Sequence, residues 1–332
     1  MDYTDNACPE SIFLFHMTEH YYSLNRYLQE QFHEKVYKLA LRGGQTCPNR
    51  DGTAGTGGCV FCAEGSGSFA ADNIDEAVRR LKDKYKGSRY IAYFQSYTCT
   101  YRMSAELIRQ IHAAARDERI AVISLATRPD CLPPEVMDLI RELNKDKPVW
   151  VELGLQSMHE KTARLINRGY PLETFEKAVT ALRGIGAEVI VHLILGLPGE
   201  GRKEILDSVR YLNGLDIQGV KLQMLHILRG TVLGAQFLEG GAEAMAKLCF
   251  SPETCEGSDP AMCCPFSFPD YADLVCDCIC HLRRDIVIHR ITGDAPKKDL
   301  LAPLWSGDKK RVLNDLRKRM DERKIIQGSQ VS

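Results

Sequence analysis

The chain has 332 residues, 44% of them hydrophobic and 26% charged, a balance that excludes a disordered or fibrous protein. Its 43 basic and 44 acidic side chains leave a net charge of -1, so no global field draws it to nucleic acid or membrane, and any polyanion must be held by a local patch. A chain this long buries roughly three quarters of the surface its extended form exposes, so its core stands without disulfides or metals, and a metal in it serves chemistry.

From Val36 to Leu225 short β-rich runs alternate with longer amphipathic ones, the mark of βα units around a parallel sheet. The runs VYKLALR (36–42), RYIAYFQ (89–95), IAVISLA (120–126), VWVELGL (149–155), EVIVHLIL (188–195) and VKLQML (220–225) predict six strands. Each is apolar for most of its length, as strands buried on both faces are. Between them the 3.6 period appears in Ile74, Ala77, Val78, Leu81 and Tyr85, then in Leu107, Ile108, Ile111 and Ala115, and again in Phe175, Val179 and Leu182. Asn73 with Glu76, Ser104, and Pro133-Pro134 before Glu135 mark helix starts. Six consecutive βα units predict an α/β fold, an open or partial (β/α) barrel spanning 31–228 after an N-terminal extension (1–30).

After Ile227 the pattern changes, and residues 229–332 are expected to form a separate C-terminal capping layer. It holds a cysteine-rich stretch that looks like an insertion at about 240–268, a helix over 270–283, a strand-like run DIVIHRI (285–291) and a basic terminal helix over 308–324. That last helix carries Lys309, Lys310, Arg311, Arg317, Lys318, Arg319, Arg323 and Lys324 against Asp315, Asp321 and Glu322. It reads either as a phosphate-contacting face or, more plainly, as a solvated surface. No run of 18 apolar residues exists, and Met1 to Ser11 holds no Lys or Arg before the short apolar Ile12 to Phe15. Neither a membrane span nor a secretory signal is expected, and the protein is expected to be cytoplasmic.

Thirteen cysteines in a reducing compartment read as metal sites before they read as disulfides. Cys47, Cys59 and Cys62 follow the first strand, at the barrel face where active sites sit, in a glycine-rich loop able to wrap closely round a compact group. Three thiolates are one short of a closed tetrahedral zinc site, and three ligands leave an open position. One reading is a 4Fe-4S cluster with one iron free for a substrate group; the other is zinc completed by a His or Asp elsewhere, such as His226 or His192. The position after strand one and Phe61 between the last two cysteines favour the cluster.

The wider set KVYKLALRGGQTCPNRDGTAGTGGCVFC, AYFQSYT, LATRPDCLP, WVELGLQSMHEKTARLINRGY, GLPGE and IVIHRITGDAP resembles the radical S-adenosylmethionine (SAM) superfamily, and within it the YhcC/YtqA-type family related to the radical domain of the Elongator catalytic subunit. The resemblance runs from about Tyr21 to Trp305. It implies a partial (β/α)6 TIM-like barrel whose cysteine triad holds a 4Fe-4S cluster, and an enzyme that cleaves S-adenosyl-L-methionine to methionine and a 5′-deoxyadenosyl radical. By the same likeness Gln95, beside Tyr93 and Ser96, stands where relatives contact the methionine amino group, although the common Gly-Gly-Glu is missing there. Thr127 and Arg128 at the end of strand three, and Glu152, Gln156 and Arg168 in ELGLQS and NRG, are implied cofactor contacts, with Glu152 on ribose hydroxyls and Arg168 on a carboxylate. Gly196 is implied beside adenine. The plainer alternatives are a buried Glu152–Arg168 ion pair, a helix-capping Gln156 and a core His192. His226, His289 and Asp294 are expected at the barrel mouth, facing substrate.

The resemblance to the Elongator radical domain implies tRNA wobble uridine modification, with tRNA as partner and a flavodoxin or ferredoxin as external electron donor. No acetyltransferase module or RNA-binding appendix is expected. A radical enzyme acting on a small metabolite or peptide is the alternative within enzymes, and a zinc-stabilised nucleic-acid interaction protein the alternative outside them. Cys276 and Cys280, one turn apart, with Cys263 and Cys264 before them, leave a second metal site open to test; the oligomeric state is not legible.

Overall fold

The computed structural model describes residues 19–63, 69–81, 87–249 and 267–331, with 241–249 as backbone alone. Most of the expected insertion lies outside the described residues, as do Cys8, Cys255, Cys263, Cys264 and the side chain of Cys249. The first half of the chain runs α1 (Leu24–Phe32), β1 (Val36–Arg42), α2 (Ile74–Leu81), β2 (Arg89–Gln95), α3 (Ala105–Arg116), β3 (Ile120–Thr127), α4 (Pro134–Leu143) and β4 (Val149–Gln156). It continues with α5 (Glu160–Leu165), α6 (Leu172–Gly184), β5 (Glu188–Leu195), α7 (Arg202–Leu212), β6 (Gly219–Met224), β7 (Ile227–Leu228), α8 (Val232–Cys249), α9 (Phe268–His281), β8 (Val287–Arg290), β9 (Leu300–Ala302) and α10 (Lys309–Glu322).

The main sheet has seven strands in the order β1-β2-β3-β4-β5-β6-β8, each pair parallel, curled into a half-barrel with helices outside. The six expected strands are all present. The DIVIHRI run is not part of a separate cap: Val287 pairs with Gly219 and Arg290 with Lys221, so the C-terminal region supplies the seventh strand of the same sheet. A second sheet, β7 with β9, is antiparallel and follows the C-terminal end of β6.

Local sequence explains the helix starts. The Ser104 hydroxyl accepts from Leu107 N at 3.1 Å, Asn73 Oδ1 accepts from Glu76 N at 2.9 Å, and Pro134 opens α4. Phe175 and Leu182 of α6 are fully buried against the sheet, each contributing about 1.5–3 kcal/mol by leaving water.

Strand alternation sends Leu39 and Leu41 of β1 outward under the helices, while Val36 and Lys38 face the lumen. Val36, Ile91, Val122, Trp150 and Ile190 form an apolar floor, closed from below by Leu24, Tyr27, Leu28 and Phe32 of α1. The N-terminal helix is thus the barrel's plug.

Candidate active site

Cys47, Cys59 and Cys62 lie on the loop after β1, at the C-terminal end of the strands. The loop crosses the end of β2 at close range: Gly43 N donates to Gln95 O at 2.6 Å, and a Cβ at Gly43 would stand 2.5 Å from that carbonyl oxygen. Two N–H groups approach the sulfurs, Asn49 Nδ2 at 3.8 Å from Cys59 Sγ and Arg128 Nη1 at 3.9 Å from Cys47 Sγ. Arg128 is itself fixed by Asp130 (2.9 Å at Nε), by the Arg168 carbonyl (3.0 Å) and by the Tyr170 ring (4.7 Å). Burial, with Cys62 beside it, pushes the free Cys59 thiol up to about 12, so thiolate ligation needs the charge of a metal centre.

Among the described residues no three His, Cys, Asp or Glu side chains converge as donors to one ion. A single zinc would draw its four donors to about 2.0–2.3 Å of one point. Neither histidine named for that reading completes it, since His192 is bonded to Glu152 and Gln223, and the His226 ring packs on Gly293. Three cysteines on one loop, with N–H donors to two of the sulfurs, fit the three-thiolate ligation of a 4Fe-4S cluster.

Several residues expected to contact the cofactor lie at the strand ends around this loop. Gln95 closes β2, and Ser96 (φ 89°) and Tyr97 (φ 48°) behind it hold left-handed backbone that turns the chain sharply. The Thr127 hydroxyl meets that of Thr100 and is buried. Gln156 has φ 66° at the bulged end of β4, and its buried Oε1 has no partner among the described residues. Gly196 has φ 91°, which suits glycine at the end of β5.

Two expected contacts have other tasks. Arg168 is 1% exposed, and its guanidinium donates to the carbonyls of Leu155 (2.9 Å), Ser157 (2.6 Å) and Tyr170 (3.0 and 3.1 Å), tying down the end of β4. Its donors are committed to backbone and to the Glu160 carboxylate (3.6 Å), so it is not presented to a ligand carboxylate. Glu152 does not pair with Arg168 and is not at the mouth. It lies one layer above the apolar floor and accepts from Lys38 Nζ (3.1 Å), Ser124 Oγ (3.0 Å), His192 Nε2 (2.9 Å) and Lys221 Nζ.

The Tyr93 ring lies 4.4 Å from Lys38 Nζ and 4.6 Å from Lys221 Nζ, and Gln223 Nε2 donates to His192 Nδ1 at 3.1 Å. Burial pushes the Glu152 carboxyl up, but the Lys221 and Lys38 ammonium groups outweigh it and hold Glu152 well below the usual range. Burial pulls Lys221 well below its usual value against the opposing attraction of Glu152, and brings His192 down to about 4. The layer is therefore a buried ionic network with a neutral histidine.

The three expected substrate contacts separate. His289 is not at the mouth: its ring stacks edge-on to Trp150 at 5.0 Å and crowds Gly219, on the apolar floor, because the register of β8 sits low against β6. His226, just past β6, fits only because Gly293 lacks a side chain; its Nε2 is buried without a partner among the described residues, and burial lowers it to about 4. Asp294 is nearby but engaged with Arg290 (2.9 Å) and Lys309 (2.6 Å).

Sequence reasoning missed Lys38, Lys221, Asn49 and Glu200. A lone lysine in each of two otherwise apolar strands, VYKLALR and VKLQML, was the available signal. In the C-terminal region Cys276, Cys278 and Cys280 are buried in the core, where burial pushes Cys276 to about 11 and Cys278 to about 12, while Cys263 and Cys264, the other half of the expected second site, lie outside the described residues. On α10 and just beyond, Arg319 and Arg323 are taken by Asp273 and Asp277, which makes much of the basic face structural.

Comparison with known proteins agrees with this geometry. Residues 46–212 match the radical SAM superfamily model and residues 263–322 the Radical_SAM C-terminal domain. The chain is 39% identical over 316 residues to the uncharacterized protein YtqA of Bacillus subtilis, covering 93% of this chain and 92% of that protein. It is 33% identical over 308 residues to YhcC of Escherichia coli K12, covering 91% and 92%. Among solved structures, the archaeal Methanocaldococcus infernus Elp3 superposes with a TM-score of 0.57 at 17% identity, over 76% of this chain and 58% of that one, a likeness of fold. The triad on its half-barrel and these matches agree: the chain belongs to the radical SAM superfamily, in the family of YtqA and YhcC, and is a radical SAM enzyme whose cofactors are a 4Fe-4S cluster and S-adenosyl-L-methionine.

Proposed function

We propose that this enzyme modifies the wobble uridine of tRNA. What carries the reading is similarity of the radical region to the tRNA uridine(34) acetyltransferase of Methanocaldococcus infernus, 27% identical over 144 residues, 41% of this chain and 26% of that protein. Elongator complex protein 3 of Saccharomyces cerevisiae aligns over 115 residues at 28%. The exposed Arg229, Lys297 and Lys298, beside the β7–β9 pair at the C-terminal end of the strands, have no acidic partner among the described residues and suit RNA phosphates.

In this reading residues 31–228 together with β8 are the radical barrel, and the rest of 229–332 is the capping region. When bound, the cluster and S-adenosyl-L-methionine supply a radical able to take hydrogen from substrate. The chain's own part is placement. Arg128 and Asn49 hold the sulfurs of Cys47 and Cys59, while Gln95, Thr127, Gln156 and Gly196 border the space for S-adenosyl-L-methionine. His226, neutral near pH 7, offers Nε2 to substrate beside Asp294. The working environment is the cytoplasm, with a flavodoxin or ferredoxin as electron donor; no described helix is long and apolar enough to cross a membrane.

Nucleoside analysis of tRNA from a strain lacking the protein tests the reading. Loss or replacement of a modified wobble uridine is expected, and an unchanged profile removes the proposal.

A further inference from the structure

Among the described residues two lysines converge on the buried carboxylate of Glu152. They differ in what else they meet. Lys221 is 5% exposed and sits deep between Glu152 and Tyr93. Lys38 is 25% exposed, although it is bonded to a carboxylate with no exposure at all. Its position on β1, the edge strand of the half-barrel, puts it on the concave face of the sheet, the lumen side. Among the described residues its ammonium makes one hydrogen bond, to Glu152, and lies over the Tyr93 ring, which leaves two N–H donors without an acceptor.

We propose that Lys38 is an anion receptor in the lumen and that the group it takes is a carboxylate of the substrate. An ammonium that shares its one carboxylate with Lys221 and keeps two donors open has room to take a further anion. The surroundings select the kind of anion. Lys221 is taken up by Glu152 and Arg290 is paired with Asp294 at 2.9 Å, so among the described residues around Glu152 Lys38 is the cation whose donors stay open. That matches a monoanion and opposes a phosphate, which carries about -1.5 to -2 charge and favours several cationic donors. Lys38 is distinct from the residues around S-adenosyl-L-methionine at the strand ends, being the third residue of β1 and one layer below Gln95. The inference deepens the proposed function only in taking the lumen as the place where substrate is held, and it does not require that substrate to be tRNA.

Calorimetric titration of the reconstituted holoenzyme with saturating, unreduced S-adenosyl-L-methionine present tests this with acetate, acetamide and inorganic phosphate as probes. Acetate is expected to bind wild type and Lys38→Arg, and to bind Lys38→Gln and Lys38→Met about tenfold or more weakly, as loss of a charge-assisted hydrogen bond dictates. Acetamide is expected not to bind. Acetate binding no better than acetamide to wild type overturns the proposal without any variant, which covers the case in which the lysine replacements fail to fold. Phosphate binding more tightly than acetate overturns the carboxylate assignment. A loss of S-adenosyl-L-methionine affinity in Lys38→Met equal to the loss of acetate affinity would assign the receptor to the methionine carboxylate and overturn it as a substrate site. An unchanged tRNA profile in the deletion strain, with acetate binding intact, defeats the tRNA reading and leaves this one standing.

Discussion

Arg128 sets one guanidinium N–H 3.9 Å from the sulfur of Cys47 while its other edge grips Asp130. Strand β3 thereby reaches the metal-binding loop of β1 through a single side chain that is 9% exposed. An N–H donor and a positive charge beside a ligating sulfur favour the reduced cluster, because reduction adds negative charge. Arg128→Met is expected to lower the cluster midpoint potential by roughly 60 mV or more, the one-electron equivalent of about 1.4 kcal/mol, and Arg128→Lys by less. Potentiometric titration followed by electron paramagnetic resonance reads this without any substrate; equal potentials in the three proteins would refute it.

Removing a ligand acts on the chemistry and spares the fold, because the core does not depend on the triad. Anaerobically reconstituted Cys59→Ala is expected to lose cluster iron and 5′-deoxyadenosine formation while melting within a few degrees of wild type. Zinc in place of iron, or collapse of the fold on losing Cys59, contradicts the assignment.

The Glu152 network makes a prediction about stability. Lys221→Met leaves a fully buried carboxylate with Lys38 as its sole lysine partner and should cost about 3–5 kcal/mol. Combining it with Glu152→Leu should recover a large part of that cost, since both halves of the buried pair are then apolar. Denaturant unfolding of the single and double variants measures the coupling, and simple additivity would show that the pair does not interact.

Glu200, in GLPGE after β5, is buried and receives the Ser157 hydroxyl. Burial, opposed by hydrogen bonds from Ser157 and Thr162, pushes its carboxyl from 4.5 up to about 7. Between pH 4.5 and 7 the folded chain therefore keeps a proton that the unfolded chain has released, and this group's contribution to stability falls as pH rises through that window. Glu200→Gln, which stays neutral, is expected to gain on wild type across the same window, by on the order of 3 kcal/mol above pH 7. Thermal unfolding of both proteins at pH 5 and pH 8 reads the difference; a constant gap would show that Glu200 ionises normally.

The exposed basic rim predicts a separation of binding from cofactor cleavage. Lys297→Glu with Lys298→Glu should weaken binding of tRNA and flatten its salt dependence, with substrate-free 5′-deoxyadenosine formation unchanged. Equal tRNA binding in wild type and variant would remove these lysines from the interface.

Strands, helix starts and the metal loop are legible in the chain before it folds, because each is written in short-range terms. Apolar runs of six to eight residues, Ser104 and Asn73 three residues before the amides they cap, and Cys59 and Cys62 with two residues between them need no distant partner to be read. What the inward-facing charges do emerges from the folded sheet. Glu152 looked like a ligand contact or a partner of Arg168, yet its bonds go to Lys38, 114 residues earlier, and to Lys221, 69 residues later. Those three meet because parallel strands β1, β4 and β6 curl round one lumen, and no local pattern encodes that curl. The same holds for DIVIHRI, whose place as the seventh strand depends on the free edge of β6, and for His289, which that low register sends to the floor of the barrel and not to its mouth. Hydrophobic periodicity states which residues leave water; which buried charges share a layer is set by strand register and barrel closure, and these are properties of the assembled sheet.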